Sequence, residues 1–381
     1  MKLNNIKVYL SAAAFALAVG TTSCVGDLDV DPINPQQTMT LDQDALLNKI
    51  YASFCLTGQT GPSGNGDVPG DEGQSEFYRM SWYMNEFTTD EAHWVWISDA
   101  GVPDLLHNNY GASNAFSSGL YYRLYFTITL CNFFLEQTTD DDPETAMQRA
   151  EVRYIRAYNY YYIMDLYGNA AFMTTVSSEL APRYERKQFF EFVESELLEI
   201  EPLLANPGQN TYGRADKAAA WMLLSRLYLN APVYLAKSDA ECKSYMDKAV
   251  LYSDSVINSS YELASKFQYL FMGDNDKLSA VNDAYKEIIL PIAQDGQHIR
   301  SYGGSTFLIA ATHTSEMASW GTTDSWKCIR TRKQLVQLFF PDLKRNYEIK
   351  SFSDDPATTD FKEGDSNESE NYNKTKEDKI K

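Results

Sequence analysis

The chain has 381 residues, with 33 basic and 52 acidic side chains, a net charge of −19, and 13% aromatic residues. That charge balance argues against nucleic acid or an anionic membrane face as partner, because like charges repel. The length suffices for two ordinary domains or one large one.

The N-terminus reads as an export signal. Lys2 and Lys7 are basic, Val8 to Gly20 is apolar, and Thr21-Thr22-Ser23 leads with small residues into Cys24. The segment is too short to span a bilayer stably and has the layout of a secretory signal. A cysteine stands where a bacterial lipoprotein signal is cut, and its thiol is expected to carry the lipid. Several acyl chains anchor strongly where one is marginal. The expected division is therefore a signal over 1–23 and a mature, membrane-tethered protein from Cys24. Residues 24–35 read as an extended acidic leader in which Pro32 and Pro35 oppose helix.

A helix is expected over Leu41 to Phe54, followed by a Gly- and Pro-rich loop from Gly58 to Gly73. Glu144 to Gly168 carries Val152, Ile155, Tyr158, Tyr162 and Leu166 at steps of three or four, with Gly168 as stop. Further amphipathic helices are expected over Gln188 to Leu204, Ala215 to Asn230 and Cys242 to Ile257, with Trp221 and Leu224 buried in the second of these. Successive helices with small residues at close approaches suggest tetratricopeptide-like hairpins. Glu287 to Ile292 reads as a buried strand, and the tail over 351–381, rich in charge, as disordered.

Catalytic signatures are missing: there is no GxSxG, HExxH or phosphate loop, and His93, His107, His298 and His313 have no metal-ligand spacing. Cys55, Cys131, Cys242 and Cys328 have no CxxC spacing, and their pairing cannot be assigned. A carboxylate pair of the glycosidase kind stays open among so many acids. Two aromatic clusters attract notice. One runs from Phe77 through Trp82-Tyr83 to Trp94 and Trp96; the other has Tyr302 and Trp326 among Gly, Ser, Thr and Asp. Aromatic rings in exported loops suit sugar, whose apolar ring face stacks on them. Trp94 itself reads as core.

At these residues the chain resembles the SusD/RagB family. The matching stretches are Cys24 with Asp27-Leu28-Asp29, DEGQSEFYR (71–79), TDEAHWVW (89–96), QRAEVRYIRAYNYYYIMDLYG (148–168), GRADKAAAWMLLSRLYLNA (213–231), EIILPIAQDG (287–296) and YGGSTFL (302–308). The resemblance implies a mainly α fold, in which tetratricopeptide-like hairpins support an irregular, loop-rich ligand face over 36–350. It implies non-catalytic binding of starch or malto-oligosaccharide on the cell surface, an outer-membrane lipid anchor, and delivery to a SusC-like TonB-dependent transporter. Carried over residue by residue, the glycan arc is Trp96, Tyr302 and Trp326, with Arg79 as donor. The family's asparagine falls on Asp99, which accepts but cannot donate when ionised. No cofactor is required, though Asp276 matches one calcium-ligand position. Family members continue further with more repeat-type helices, so the chain reads as C-terminally truncated. The alternatives are a different glycan on the same scaffold and a surface glycoside hydrolase.

Overall fold

The computed structural model describes residues 41–58, 66–70, 72–294, 299, 301–314, 325–339, 347–349 and 361–363. The chain divides into two units, Met1–Asp42 and Gln43–Lys381, and every described helix and strand belongs to the second. The signal, Cys24 and the leader lie outside the described residues, as does the tail apart from Phe361–Glu363.

The helices follow local chemistry closely. Helix α1 spans Gln43–Ala52, α2 Phe77–Glu86, α3 Val102–Leu106 and α4 Ala115–Gln137. Then come α5, Pro143–Tyr167, and α6, Arg186–Ile200. Helix α5 starts where the Asp142 carboxylate accepts the Thr145 amide at 2.9 Å and Pro143 fills the first turn. It ends at Gly168, whose φ of 76° is left-handed and suits a residue without a side chain. Helix α7 spans Lys217–Leu229, and its N-cap Asp216 accepts the amides of Ala218 and Ala219 at 2.8 and 3.2 Å. Short α8, Ala231–Leu235, leads to α9, Lys243–Ile257.

Successive helices pack as hairpins, α4 on α5, α5 on α6 and α7 on α9. Ala218, Ala219 and Ala220 are buried and permit the close approach at α7. The α7–α9 seam stacks Tyr228 on Tyr245 and Tyr252, with ring centroids 5.7 and 5.9 Å apart, and Ser225 donates to the Ala249 carbonyl at 3.0 Å. Leu224 is buried as expected, but Trp221 is half-buried because its indole N–H reaches out to Glu201 at 2.8 Å. The fold is mainly α, with three two-stranded antiparallel sheets among the described residues.

One element was not anticipated and one expectation is corrected. Helix α4 has apolar residues on all sides and therefore no amphipathic stripe, yet it runs through the core against α1, α2 and α5. Buried Arg123 on α4 pairs with Asp67 at 3.2 Å and donates to the Ser75 carbonyl at 2.8 Å, tying the preceding loop to the helix. Glu287 to Ile292 is no strand but an irregular, half-buried segment. Pro291 lacks the donor a ladder needs, and Ile289, Leu290 and Ile292 satisfy their apolar surface by packing on the core instead. In the tail, Phe361–Glu363 pairs with Tyr347–Ile349.

Candidate functional site

The candidate site is assembled from α2, strand β1 (Ala92–Trp94), helix α10 (Gly304–Thr312) and strand β4 (Ile329–Thr331). Strands β1 and β4 pair antiparallel with Trp94 opposite Ile329. The residues before β4 are held by Trp326 N–H donating to the Ala310 carbonyl at 2.7 Å, and Cys328 N–H to that of Ala311 at 2.9 Å. Segments more than two hundred residues apart in sequence thereby meet.

The rings form one continuous series. Trp96 packs edge-on to Trp94 at 5.4 Å, and Trp94 stacks on Phe307 at 6.2 Å. Phe307 contacts Trp326 at 6.3 Å, and Trp326 contacts Tyr302, also at 6.3 Å. Trp94 and Phe307 are buried, Trp326 is half-buried, and the two ends reach solvent, Trp96 at 43% and Tyr302 at 46% exposure. Trp96 at one end and Trp326 with Tyr302 at the other are thus joined through the buried pair Trp94 and Phe307, and Trp94 is core.

Arg79 binds this series together. Its guanidinium lies 4.6 Å from the Phe307 ring centre, donates to the Tyr83 hydroxyl at 3.1 and 2.9 Å, and donates to the Tyr302 carbonyl at 3.2 Å. These bonds engage three of its five N–H groups. Gly73 makes room for the arrangement, since a Cβ there would lie 2.3 Å from Arg79 Nη1 and 3.0 Å from Tyr302 Cβ. Asp99 has a structural duty: its Oδ2 accepts the Trp94 indole N–H at 3.0 Å, fixing the wall behind Trp96.

Sequence reasoning missed Glu76 and Phe307. Glu76 is fully buried, caps α2 by accepting the Arg79 amide at 2.5 Å, and lies directly against Gly303, where a Cβ would fall 2.3 Å from its Cγ. Burial pushes this carboxyl up to about 7; the amides of Arg79, Gly304 and Tyr78 and the charge of Arg123 work against that rise. Oε1 nevertheless closes no hydrogen bond. The FYR stretch, with an acid just before an aromatic helix start, was the available signal for this cap.

Other chemistry is sparse. The four cysteines among the described residues are buried and unpaired, and burial pushes the thiols of Cys55, Cys131 and Cys328 up to about 12, so they are poor nucleophiles. Burial and neighbouring Glu91 raise the Glu86 carboxyl. Those two acids interact directly, without the separation of about 5 Å or more that glycosidase carboxylates keep across a sugar bond. Asp276 Oδ1 accepts the Leu278 amide at 2.8 Å, and no cluster of three or more metal-ligating side chains occurs among the described residues. Asp276 therefore offers one carboxylate where calcium takes six to eight oxygens.

A family profile described as SusD-like, "Starch-binding associating with outer membrane", matches residues 28–229, more than half of the chain. The chain belongs to this SusD-like family. Among curated proteins it is 43% identical over 347 residues to the starch-binding protein SusD of Bacteroides thetaiotaomicron, covering 90% of this chain and 61% of that protein's length. Solved structures agree on the fold. A SusD superfamily protein from Bacteroides thetaiotaomicron superposes with a TM-score of 0.58 at 18% identity, covering 80% of this chain and 62% of that one. Surface glycan-binding protein A from Bacteroides uniformis gives 0.57 at 16% identity, covering 84% and 65%.

Proposed function

We propose that this protein captures starch or malto-oligosaccharides at the cell surface without cleaving them. On this reading Cys24 anchors it by lipid to the outer membrane, and it delivers glycan to a SusC-like TonB-dependent transporter. The observation that carries the proposal is the series Trp96–Trp94–Phe307–Trp326–Tyr302, a supported row of rings whose ends face solvent. Glucose rings stack on such faces, at about 1–3 kcal/mol per ring by analogy with bases on aromatic platforms. The remaining Arg79 donors then meet sugar hydroxyls. The likeness to SusD supports starch as the glycan.

A second reading keeps the scaffold and changes the glycan. Asp99 favours it, because an acceptor-only carboxylate beside Trp96 cannot donate to a hydroxyl. Native electrophoresis in gels containing amylopectin, laminarin or xylan separates the two. Selective retardation by amylopectin supports starch; selective retardation by another polysaccharide supports the second reading. Release of reducing ends from starch by the pure protein would overturn non-catalytic capture.

A further inference from the structure

A second polar concavity shares no residue with the aromatic row. The turn after α5, strand β3 (Arg183–Tyr184), the start of α6 and short α8 border an open cavity of about 410 Å³. Tyr167, Asn169, Arg183, Arg186 and Tyr234 line it.

Several arginines elsewhere in this acidic protein are neutralised by carboxylates, whereas Arg79 and Arg226 rest on aromatic rings. Arg123 pairs with Asp67, Arg149 with Asp140, Arg153 and Arg156 with Glu196, and Arg214 with Glu151. Arg183 and Arg186 have no ion pair among the described residues, although the chain carries 52 acids. Arg186 Nε is moreover buried with no hydrogen-bond partner. Arg186 is otherwise half-buried, but a buried guanidinium N–H without an acceptor is costly, and an anion within its reach relieves that cost.

The surroundings hold these groups in place. Gly168 lies so close that a Cβ would stand 3.0 Å from Arg186 Nη2. Asn169 Oδ1 accepts the Arg186 amide at 3.0 Å, which orients the Asn169 NH2 group as a further donor. The nearby carboxylate of Asp165 is occupied by the Tyr234 hydroxyl at 2.8 Å. The start of α6 is not the source of the site, since the chain caps it itself: Glu185 N–H donates to Gln188 Oε1 at 2.9 Å. The volume admits a sugar ring, with half-buried Tyr167 beside the charge and buried Tyr234 forming part of the wall.

We propose that this cavity binds an acidic sugar, with Arg183 and Arg186 taking its carboxylate or sulfate group. Guanidinium forks match either oxyanion bidentately, whereas a neutral sugar leaves them unpaired.

Titration calorimetry on the full chain tests this with glucuronate, glucose 6-sulfate, glucose and inorganic sulfate. The expected result is saturable binding of at least one sugar acid and none of glucose. Arg183→Gln and Arg186→Gln should each weaken binding about tenfold, the loss of one charged hydrogen-bonded contact. Arg183 is exposed, so its substitution leaves folding intact even if Arg186→Gln does not; circular dichroism checks both. Binding of neither sugar acid, equal binding of glucose, or binding unchanged in Arg183→Gln would overturn the proposal. Inorganic sulfate binding as tightly as the sugar acids would overturn the sugar assignment.

Discussion

Glu76→Gln isolates the buried acid beneath the aromatic row. The folded protein raises this carboxyl from 4.5 to about 7, chiefly by burial. A folded value above the unfolded one means that protonated Glu76 favours folding. That contribution is fully present below pH 4.5 and is lost as pH rises through 7. The difference of about 2.5 pH units corresponds to roughly 3 kcal/mol, at about 1.4 kcal/mol per unit. Glutamine retains an oxygen for the Arg79 amide but cannot ionise. Its extra N–H donors cost about 1–3 kcal/mol if unpartnered, at every pH alike. Urea denaturation at pH 5.0, 6.5 and 8.0 reads the difference between the two proteins. The wild type should lose stability relative to Glu76→Gln as pH rises, by up to about 3 kcal/mol across that range. Parallel curves for the two proteins would refute the reasoning, because ionisation of Glu76 would then cost nothing.

Three further outcomes rest on packing and anchoring. Gly303→Ala should weaken amylopectin retardation and cost about 1–3 kcal/mol of stability, because the added methyl meets the Glu76 side chain and displaces neighbouring Tyr302; gel mobility and thermal melting read the two effects. Leu224→Asp should prevent cooperative folding, since it places an unpaired charge in the α7 interface; an unchanged melt would show the site to be less enclosed than its burial indicates. Cys24→Ala should abolish palmitate labelling and membrane retention, and a labelled variant would refute lipidation at that thiol.

The parts of the fold legible in the sequence were those with a strong periodic or capping signal. Helix α5 was readable because its buried residues recur at helical spacing and Gly168 stops it. Helix α4 was not, because its outer face carries Tyr122 and Phe133 as well as polar residues, so hydropathy does not mark its period. The run from Glu287 to Ile292 looked like a strand because it is apolar, but apolarity reports burial and not a hydrogen-bonded partner. The candidate site shows the same limit. Trp96, Tyr302 and Trp326 were found from loop composition and family resemblance, whereas Phe307 beneath them resembles any core residue. Asp99 is a position marked by the family resemblance, whereas the support one of its oxygens gives Trp94 is set by an irregular turn that no spacing rule captures. Glu76 caps its own helix locally, but it packs against Gly303, more than two hundred positions away, and only the folded chain brings them together.

The central claim is that the solvent-facing ends of the ring series bind starch. Trp96→Ala combined with Tyr302→Ala tests it most directly, because both rings are substantially exposed and neither is needed to fill the core. Affinity electrophoresis in amylopectin, alongside thermal melting, should show lost retardation with an unchanged melt. Retardation equal to that of the wild type, with the fold intact, would contradict the claim.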